Sequence, residues 1–447
     1  GYKDYAFLDA TLRNDHDSRL GAANRSFFYP SVKGSFVFTQ AIDALKNNKI
    51  LSYGKVRATY SQVGDVNISP YSLVNTYSST SGFPYNNIGG LSLSTGLNNP
   101  NLKPELSKEY EFGADLGFLD NRINLSATYY NNHTRNQTLN VATSPASSYT
   151  STLINVGETL NTGYEFKMGV QVLTRDKNKF GLSLDGNFTI QNQKVLSLYG
   201  NITQLFLGGY TNAGTYAAVN QPYTALYTTD ILRDPQGHAI VDATTGYPIL
   251  DPNLKYQGQT TPKYILGLSA NLSYSFVSLN LVSEFRSGNV LYNQTLSSAT
   301  AAGVSQFSAS AGRQRFIFPN SVINTGTAAN PVYTPNTTVS VNDGNLGFWD
   351  ANAFYTAGST YVESAAFWKL READLNFDLT RFINTTKFIK RLSFSLNGRN
   401  LLMFRPKTND FVDPEYAFSS GNGGIGITNT DQLPPTRFYG ANLTVTF

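Results

Sequence analysis

His16, His133 and His238 are the only imidazoles in the chain, and cysteine is absent. The three histidines fall in separate segments and never pair at ligand spacing, so they suggest no zinc centre. Lack of thiols removes disulfide scaffolds, thiol catalysis and Cys-ligated metals. Gly421-Asn422-Gly423-Gly424-Ile425-Gly426 has the glycine spacing of a dinucleotide-binding turn. It follows a loop and leads into Thr428-Asn429-Thr430 rather than a helix, so it reads as a flexible loop. Ser52-Tyr53-Gly54-Lys55 has the Ser/Lys spacing of an acyl-transfer nucleophile, but no Ser-Asp-Asn or Lys-Thr-Gly partner lies nearby. Asp230, Asp234, Asp242 and Asp251 crowd one segment, and carboxylates with loop carbonyls suit calcium. Asp234 and Asp242 are the candidate ligands. Their spacing departs from the EF-hand loop, and the Asp234-Pro235 and Thr245-Gly246 steps are also ordinary turn formers. The chemistry expected is therefore none that is catalytic, with calcium as the one cofactor candidate.

Aromatic side chains are the other resource. Tyr71, Tyr77, Phe83 and Tyr85 share one polar stretch, Tyr210, Tyr216, Tyr223 and Tyr227 a second, and Phe348, Trp349 and Tyr355 a third. Aromatic faces stack on sugar rings and peptide side chains, and they also pack long loops against one another. Tyr71, Tyr77, Tyr85, Tyr210, Tyr216, Tyr223 and Trp349 are the candidate ligand-binding residues.

These residues need a scaffold, and composition narrows it. Across 447 residues, charged types make up 14% and aromatic types 13%, which excludes a coiled coil and a charge-rich disordered chain. A net charge of +4 is too balanced for a nucleic-acid footprint. Uninterrupted apolar runs fall far short of the roughly 20 residues of a membrane-spanning helix. The chain opens at Gly1-Tyr2-Lys3 without initiator Met or leader, and reads as part of a longer precursor.

Period-2 alternation dominates instead. Ile123, Leu125, Ala127 and Tyr129 alternate with Asn124, Ser126 and Thr128, and Leu266, Leu268, Ala270, Leu272, Tyr274 and Phe276 with their polar neighbours. Tyr439, Ala441, Leu443, Val445 and Phe447 close the chain in the same rhythm. About twelve such segments are centred near residues 8, 34, 57, 112, 126, 164, 187, 270, 283, 372, 396 and 441. Alternate connections are tight, as at Leu119-Asp120-Asn121, Arg175-Asp176-Lys177-Asn178 and near Val277, with a short helix-like Ala41-Ile42-Asp43-Ala44-Leu45 in a roomier one. The intervening connections are long, notably about 65–104, 199–260, 292–359 and 406–432. Short turns at one end and long loops at the other predict an all-β, antiparallel up-and-down transmembrane β-barrel rather than a soluble sandwich. Apolar positions would face lipid and polar ones a wet lumen.

Several strings carry a resemblance. Asn99-Pro100-Asn101-Leu102-Lys103-Pro104-Glu105 precedes Glu109-Tyr110-Glu111-Phe112-Gly113-Ala114-Asp115. Lys55-Val56-Arg57-Ala58-Thr59-Tyr60-Ser61-Gln62-Val63-Gly64, Asn155-Val156-Gly157-Glu158 and Asn161-Thr162-Gly163-Tyr164-Glu165 accompany it. Phe367-Trp368-Lys369-Leu370-Arg371, Gly398-Arg399-Asn400-Leu401, Asp413-Pro414-Glu415 and Pro434-Pro435-Thr436-Arg437 follow. In this order they resemble the SusC/RagA family of TonB-linked outer-membrane transporters, over essentially residues 1–447.

The resemblance implies a barrel of about 22 strands, of which this chain is the C-terminal part. It also implies an N-terminal plug, a TonB box that engages the TonB complex, and a SusD-like lipoprotein that lids the extracellular mouth. Neither plug nor TonB box is found in residues 1–447. The implied activity is import of an oligosaccharide or peptide across the bacterial outer membrane, with the long loops extracellular. Phe447 resembles the aromatic terminus that outer-membrane assembly machinery reads. The rival expectation is a self-contained passive porin or adhesin-like barrel without a plug.

Overall fold

The computed structural model describes all residues except 80, 144, 175–179, 351, 384–387, 410–411, 417–421, 432 and 434. Twelve long strands organise the chain. They are β1 (Ala6–His16), β2 (Ser26–Phe36), β3 (Leu51–Asp65), β4 (Glu105–Phe118), β5 (Ile123–Ala142) and β6 (Ser151–Leu173). After them come β7 (Phe180–Leu198), β8 (Tyr264–Tyr274), β9 (Val277–Ser287), β10 (Phe367–Asp378), β11 (Arg391–Phe404) and β12 (Phe438–Thr446). They hydrogen-bond in chain order as one sheet, and each expected alternating segment falls inside one of them. The tight turn at Leu119-Asp120-Asn121 is present, with all three residues at positive φ. The expected helix near 41–45 is an α-helical turn Phe38–Ala41 followed by a 3₁₀ turn Asp43–Leu45. The turn expected at 175–178, Gly421 and Pro434 lie outside the described residues.

Two compact units divide the chain. The first is Gly1–Leu205 with Ala218–Pro222 and Leu268–Ser275; the second is Phe206–Ala217, Tyr223–Gly267 and Phe276–Phe447.

In the first unit, register turns the alternation into continuous rows. Phe36, Val56, Ala114, Ala127 and Phe166 are successive cross-strand partners, as are Gly34, Ala58, Phe112, Tyr129 and Tyr164. Between them runs Ser35, Arg57, Gly113, Thr128 and Glu165. Strand side chains alternate across the sheet, so the two apolar rows share one face and the polar row the other. On the apolar face Phe112 is 56% exposed and Tyr164 49%. A soluble sheet would hide such residues, whereas a membrane wall presents them to hydrocarbon. On the polar face the Arg57 guanidinium passes over Gly113 and donates to Thr128 Oγ1 at 2.6 Å. Ser126 donates to Asp115, and Asn132 Nδ2 to Glu109, each at 2.7 Å.

The apolar rows end at a tyrosine belt. Tyr60 pairs with Tyr110 and Tyr129 with Tyr164, at ring separations of 5.1 and 5.3 Å. Amphipathic rings at one level of the wall are the mark of a membrane interface. Past that level β5 and β6 continue as a hairpin, 20 and 23 residues long in all, joined by 143–150. No large apolar side chain is exposed on that extension among the described residues.

In the second unit the turn ends of the strands carry phenylalanine. Phe276 lies 6.4 Å from Phe377 and 5.0 Å from Phe382, and Phe388 lies 5.1 Å from Phe447. The Arg381 guanidinium sits over the Phe276 and Phe382 rings at 4.5 and 4.7 Å. Phe447 stays 62% exposed in this girdle.

At the other end of β9 and β10, two sequence strings meet. Lys369 Nζ donates to both Asp413 oxygens at 2.7 Å and to Glu415. Arg371 bonds Glu284 through Nε at 2.8 Å and Glu415 through a terminal nitrogen at 2.6 Å. Arg286 Nε donates to Glu284 at 2.6 Å and approaches Glu415 at 3.5 Å. Three cations thus neutralise three carboxylates, all within reach of the Phe367 ring, which holds each cation 4.9–5.7 Å from its centre. The Lys369 side chain is only 7% exposed, so the cluster holds the loop segment around Asp413-Pro414-Glu415 against the strands.

Two outcomes follow for the wall. A Cβ at Gly163 would stand 2.3 Å from the Ile190 carbonyl and 2.5 Å from the Tyr130 hydroxyl. Gly163→Ala is expected to cost about 1–3 kcal/mol through overpacking, read as a lower temperature for loss of the heat-modifiable band in gel electrophoresis. For Glu415, burial alone would raise the carboxyl, but hydrogen bonds from Arg371 and Lys369 prevail and hold it at about 2, against an ordinary 4.5. A depressed carboxyl stabilises fully above its unfolded value, and that contribution fades as pH falls from about 4.5 to 2. Pepsin cleavage around 412–416 is expected to rise across that window in the native protein. Glu415→Gln should cleave readily at every pH in it, with the step gone.

Candidate functional site

Outside the strand wall, the long connections build structure of their own. Short strands Gln204–Gly209, Ala213–Ala218, Ala225–Ile231 and Leu250–Gln259 hydrogen-bond in that order as a second sheet. All but Gln204, Leu205 and Ala218 belong to the second unit. Its two faces differ. On one, Ala213 and Leu226 are fully buried against Tyr292, Tyr361 and Ile427, and Thr215 and Thr228 are buried beside them. On the other, Phe206, Tyr216, Tyr227 and Tyr256 follow one another at ring separations of 5.3, 5.4 and 5.7 Å.

Local sequence makes this strip. Gly214 stands opposite Tyr227, and a Cβ there would come within 2.7 Å of the Phe206 ring and 3.1 Å of the Tyr216 ring. Tyr227 in turn pairs with Tyr256. Among the described residues no protein group hydrogen-bonds the hydroxyls of Tyr216, Tyr227 or Tyr256. Partial burial pushes all three hydroxyls above their ordinary acidity range, so they remain protonated donors. The arrangement supplies ring faces and neutral hydroxyls in line.

The aromatic candidates separate by surroundings. Tyr71, Tyr77 and Tyr85 belong to the first unit and are 90%, 67% and 67% exposed, so their rings are free. Leu20, Val66, Ile68 and Leu102 anchor the two ends of the 66–104 segment as a small core. Tyr216 lies in the strip, and Tyr223 is half-buried close to it in sequence. Tyr210 instead packs on Tyr292 at 6.0 Å and donates to the Thr428 carbonyl at 3.4 Å. Trp349 is 5% exposed among Phe307, Phe348 and Phe354, with its Nε1 on the Gly344 carbonyl at 3.2 Å. The faces of Tyr210 and Trp349 are occupied by protein. Phe206 and Tyr256 are not among the aromatics singled out from sequence; the short alternations Ala213-Gly214-Thr215-Tyr216 and Ala225-Leu226-Tyr227-Thr228 are the local signal that could have revealed their sheet.

The polar candidates sit in turns. Asp234 accepts from the Gln236 and His238 amides at 3.0 and 2.8 Å and faces His238 Nδ1 at 2.8 Å. Asp242 accepts from the Thr244 and Thr245 amides and the Thr245 hydroxyl, which hold its carboxyl below the usual range. Among the described residues no three His, Asp or Glu groups gather at metal-binding distance. His133 faces Glu158 at 3.4 Å on the β5–β6 hairpin. Ser52 accepts from the Asp120 amide at 2.7 Å, so its hydroxyl closes a turn and faces no Lys55.

Comparisons with known proteins place this geometry. The family described as TonB dependent receptor-like, beta-barrel matches residues 3–401. TonB-dependent receptor P3 of Formosa agariphila is 26% identical over 94% of this chain and 41% of its own length. TonB-dependent receptor P26 of the same organism is 25% identical over 100% of this chain and 45% of its own length. The chain therefore spans less than half the length of these relatives. Among solved structures, the RagAB peptide transporter superposes with a TM-score of 0.76 at 20% identity, covering 100% of this chain and 46% of that one. At that identity the likeness concerns fold, and it agrees with the SusC/RagA resemblance of the sequence strings. With its two-faced strand wall and matching family pattern, this chain belongs to the TonB-dependent receptor family as part of its outer-membrane β-barrel.

Proposed function

We propose that this chain forms part of the wall and ligand vestibule of a TonB-driven outer-membrane importer of oligosaccharides or peptides. The observation that carries the reading is the family match over residues 3–401 on a wall with one apolar and one polar face. Strands β1 and β12 each have a single hydrogen-bonded neighbour among the described residues. A membrane wall needs every edge paired, so the remaining strands come from the rest of the transporter, as does the plug. The short phenylalanine-lined turns face the periplasm and the long loops face outward. There a SusD-like lipoprotein closes over them, as the SusC/RagA resemblance of the sequence strings implies. Energy reaches the plug through TonB, and the loops act as binders rather than catalysts. Calcium at Asp234 or Asp242 would brace their turn, and Phe447 would serve as the assembly signal.

Uptake of the native substrate by cells carrying the complete transporter is expected to stop when TonB is deleted or the proton gradient is collapsed. Uptake that continues unchanged would return the chain to the passive porin class.

A further inference from the structure

Resting on the importer reading, we propose that the strip Phe206–Tyr216–Tyr227–Tyr256 is a binding site for an uncharged glycan chain lying lengthwise across the four rings.

Three observations converge on that ligand. First, the rings are not surplus core: the opposite face of the same sheet already carries the buried cluster of Ala213, Leu226, Tyr292, Tyr361 and Ile427. Phe206 and Tyr256 remain 50% and 42% exposed at the two ends of the strip. Second, two edge contacts at 5.3 and 5.4 Å and one tilted contact at 5.7 Å join neighbouring rings, so the four make a continuous apolar track. The C–H face of a sugar ring fits such a surface, and a polymer of sugars fits a repeated one.

Third, the polar complement is neutral. Tyr216, Tyr227 and Tyr256 hold hydroxyls with no partner among the described residues, and each can both donate to and accept from a sugar hydroxyl. Among the described residues no cation stands over any of the four rings, and Lys255, next to Tyr256 in the chain, pairs with Thr228 on the other face of the sheet, where it is already matched. Lys255 lies 3.1 Å from Asp251 and 3.8 Å from Asp230, and Arg233 lies 3.8 Å from Asp230. Among the described residues an acidic glycan would find no cation over these rings, and a peptide no charged anchor beside them. A chain of uncharged sugars leaves nothing on the strip unmatched.

The test uses the complete transporter with its partner lipoprotein, purified in detergent, and titration calorimetry. The probes are maltohexaose, cellohexaose, laminarihexaose and xylohexaose, with oligogalacturonate and a casein digest as charged and peptide comparisons. At least one neutral probe should bind. Tyr227→Ala and Tyr256→Ala should each weaken it about 3- to 10-fold, as loss of an aromatic contact does. Tyr227→Phe, which keeps the ring and the fold, should weaken it about 2- to 5-fold through the lost hydroxyl. Phe382→Ala, at the turn end of the strands in the same unit, should change nothing.

The proposal falls if no neutral probe binds, if only the acidic or peptide probes bind, or if the strip variants bind as tightly as the native protein. It also falls if tetranitromethane nitrates Tyr216 and Tyr227 only after the lipoprotein is removed, since the strip would then be a protein interface. None of these outcomes touches the TonB dependence of uptake, so the importer reading stands or falls separately.

Discussion

A peptide group inside hydrocarbon has no water to bond, so every strand of a membrane wall must find its partners in neighbouring strands. That requirement sets nearly everything else here. It fixes antiparallel pairing in chain order, and pairing in turn aligns Phe36, Val56, Ala114, Ala127 and Phe166 into one row. A slip of one residue would bring Arg57 to the lipid side and Val56 to the polar side. The polar network of Arg57, Thr128, Asp115 and Ser126 therefore does not merely tolerate the register; it penalises any other.

Outside hydrocarbon water is available again, and the logic changes. Loops there are free of the pairing rule but must find apolar burial of their own. The second unit does this in several small clusters. One gathers around Tyr292 and Tyr361, another around Phe348 and Trp349, and a third around Ile231 and Ala357. The ionic cluster of Lys369, Arg371, Arg286, Glu284, Asp413 and Glu415 joins the two regimes. Its cations come from strands β9 and β10, and two of its three carboxylates come from a loop.

The wall was readable from sequence because each of its segments has a lipid side and a wet side, and period 2 records that directly. The extension of β5 and β6 was not readable, since Asn131-Asn132-His133-Thr134-Arg135-Asn136 meets water on both faces and loses the alternation. For the loops, composition could say that aromatics were plentiful but not where their faces went. Trp349 and Tyr216 looked equivalent as loop aromatics, yet one is enclosed by Phe307, Phe348 and Phe354 and the other stands in an open strip. What separates them is long-range pairing, such as Tyr227 with Tyr256, which no local pattern contains. The ionic cluster was visible as two unrelated strings, and only folding brought them together.

The β5–β6 hairpin differs from the other long connections because its backbone is laddered almost to the tip. Past the Tyr129–Tyr164 pair, β6 runs back from Thr162 to Ser151, roughly 40 Å of strand at ordinary rise. Braced by β7 as far as Gly157 and by Gly96–Leu97 at Ser151–Thr152, this ribbon rooted in the wall behaves as a stalk rather than a tether. Its tip keeps a set distance from the bilayer, and a push or pull there travels along hydrogen bonds into the barrel instead of dissipating in a slack loop. For an engineer, 143–150 is a mounting point: a tag carried there would be displayed clear of the lipid, on a mast that the membrane itself helps to hold upright.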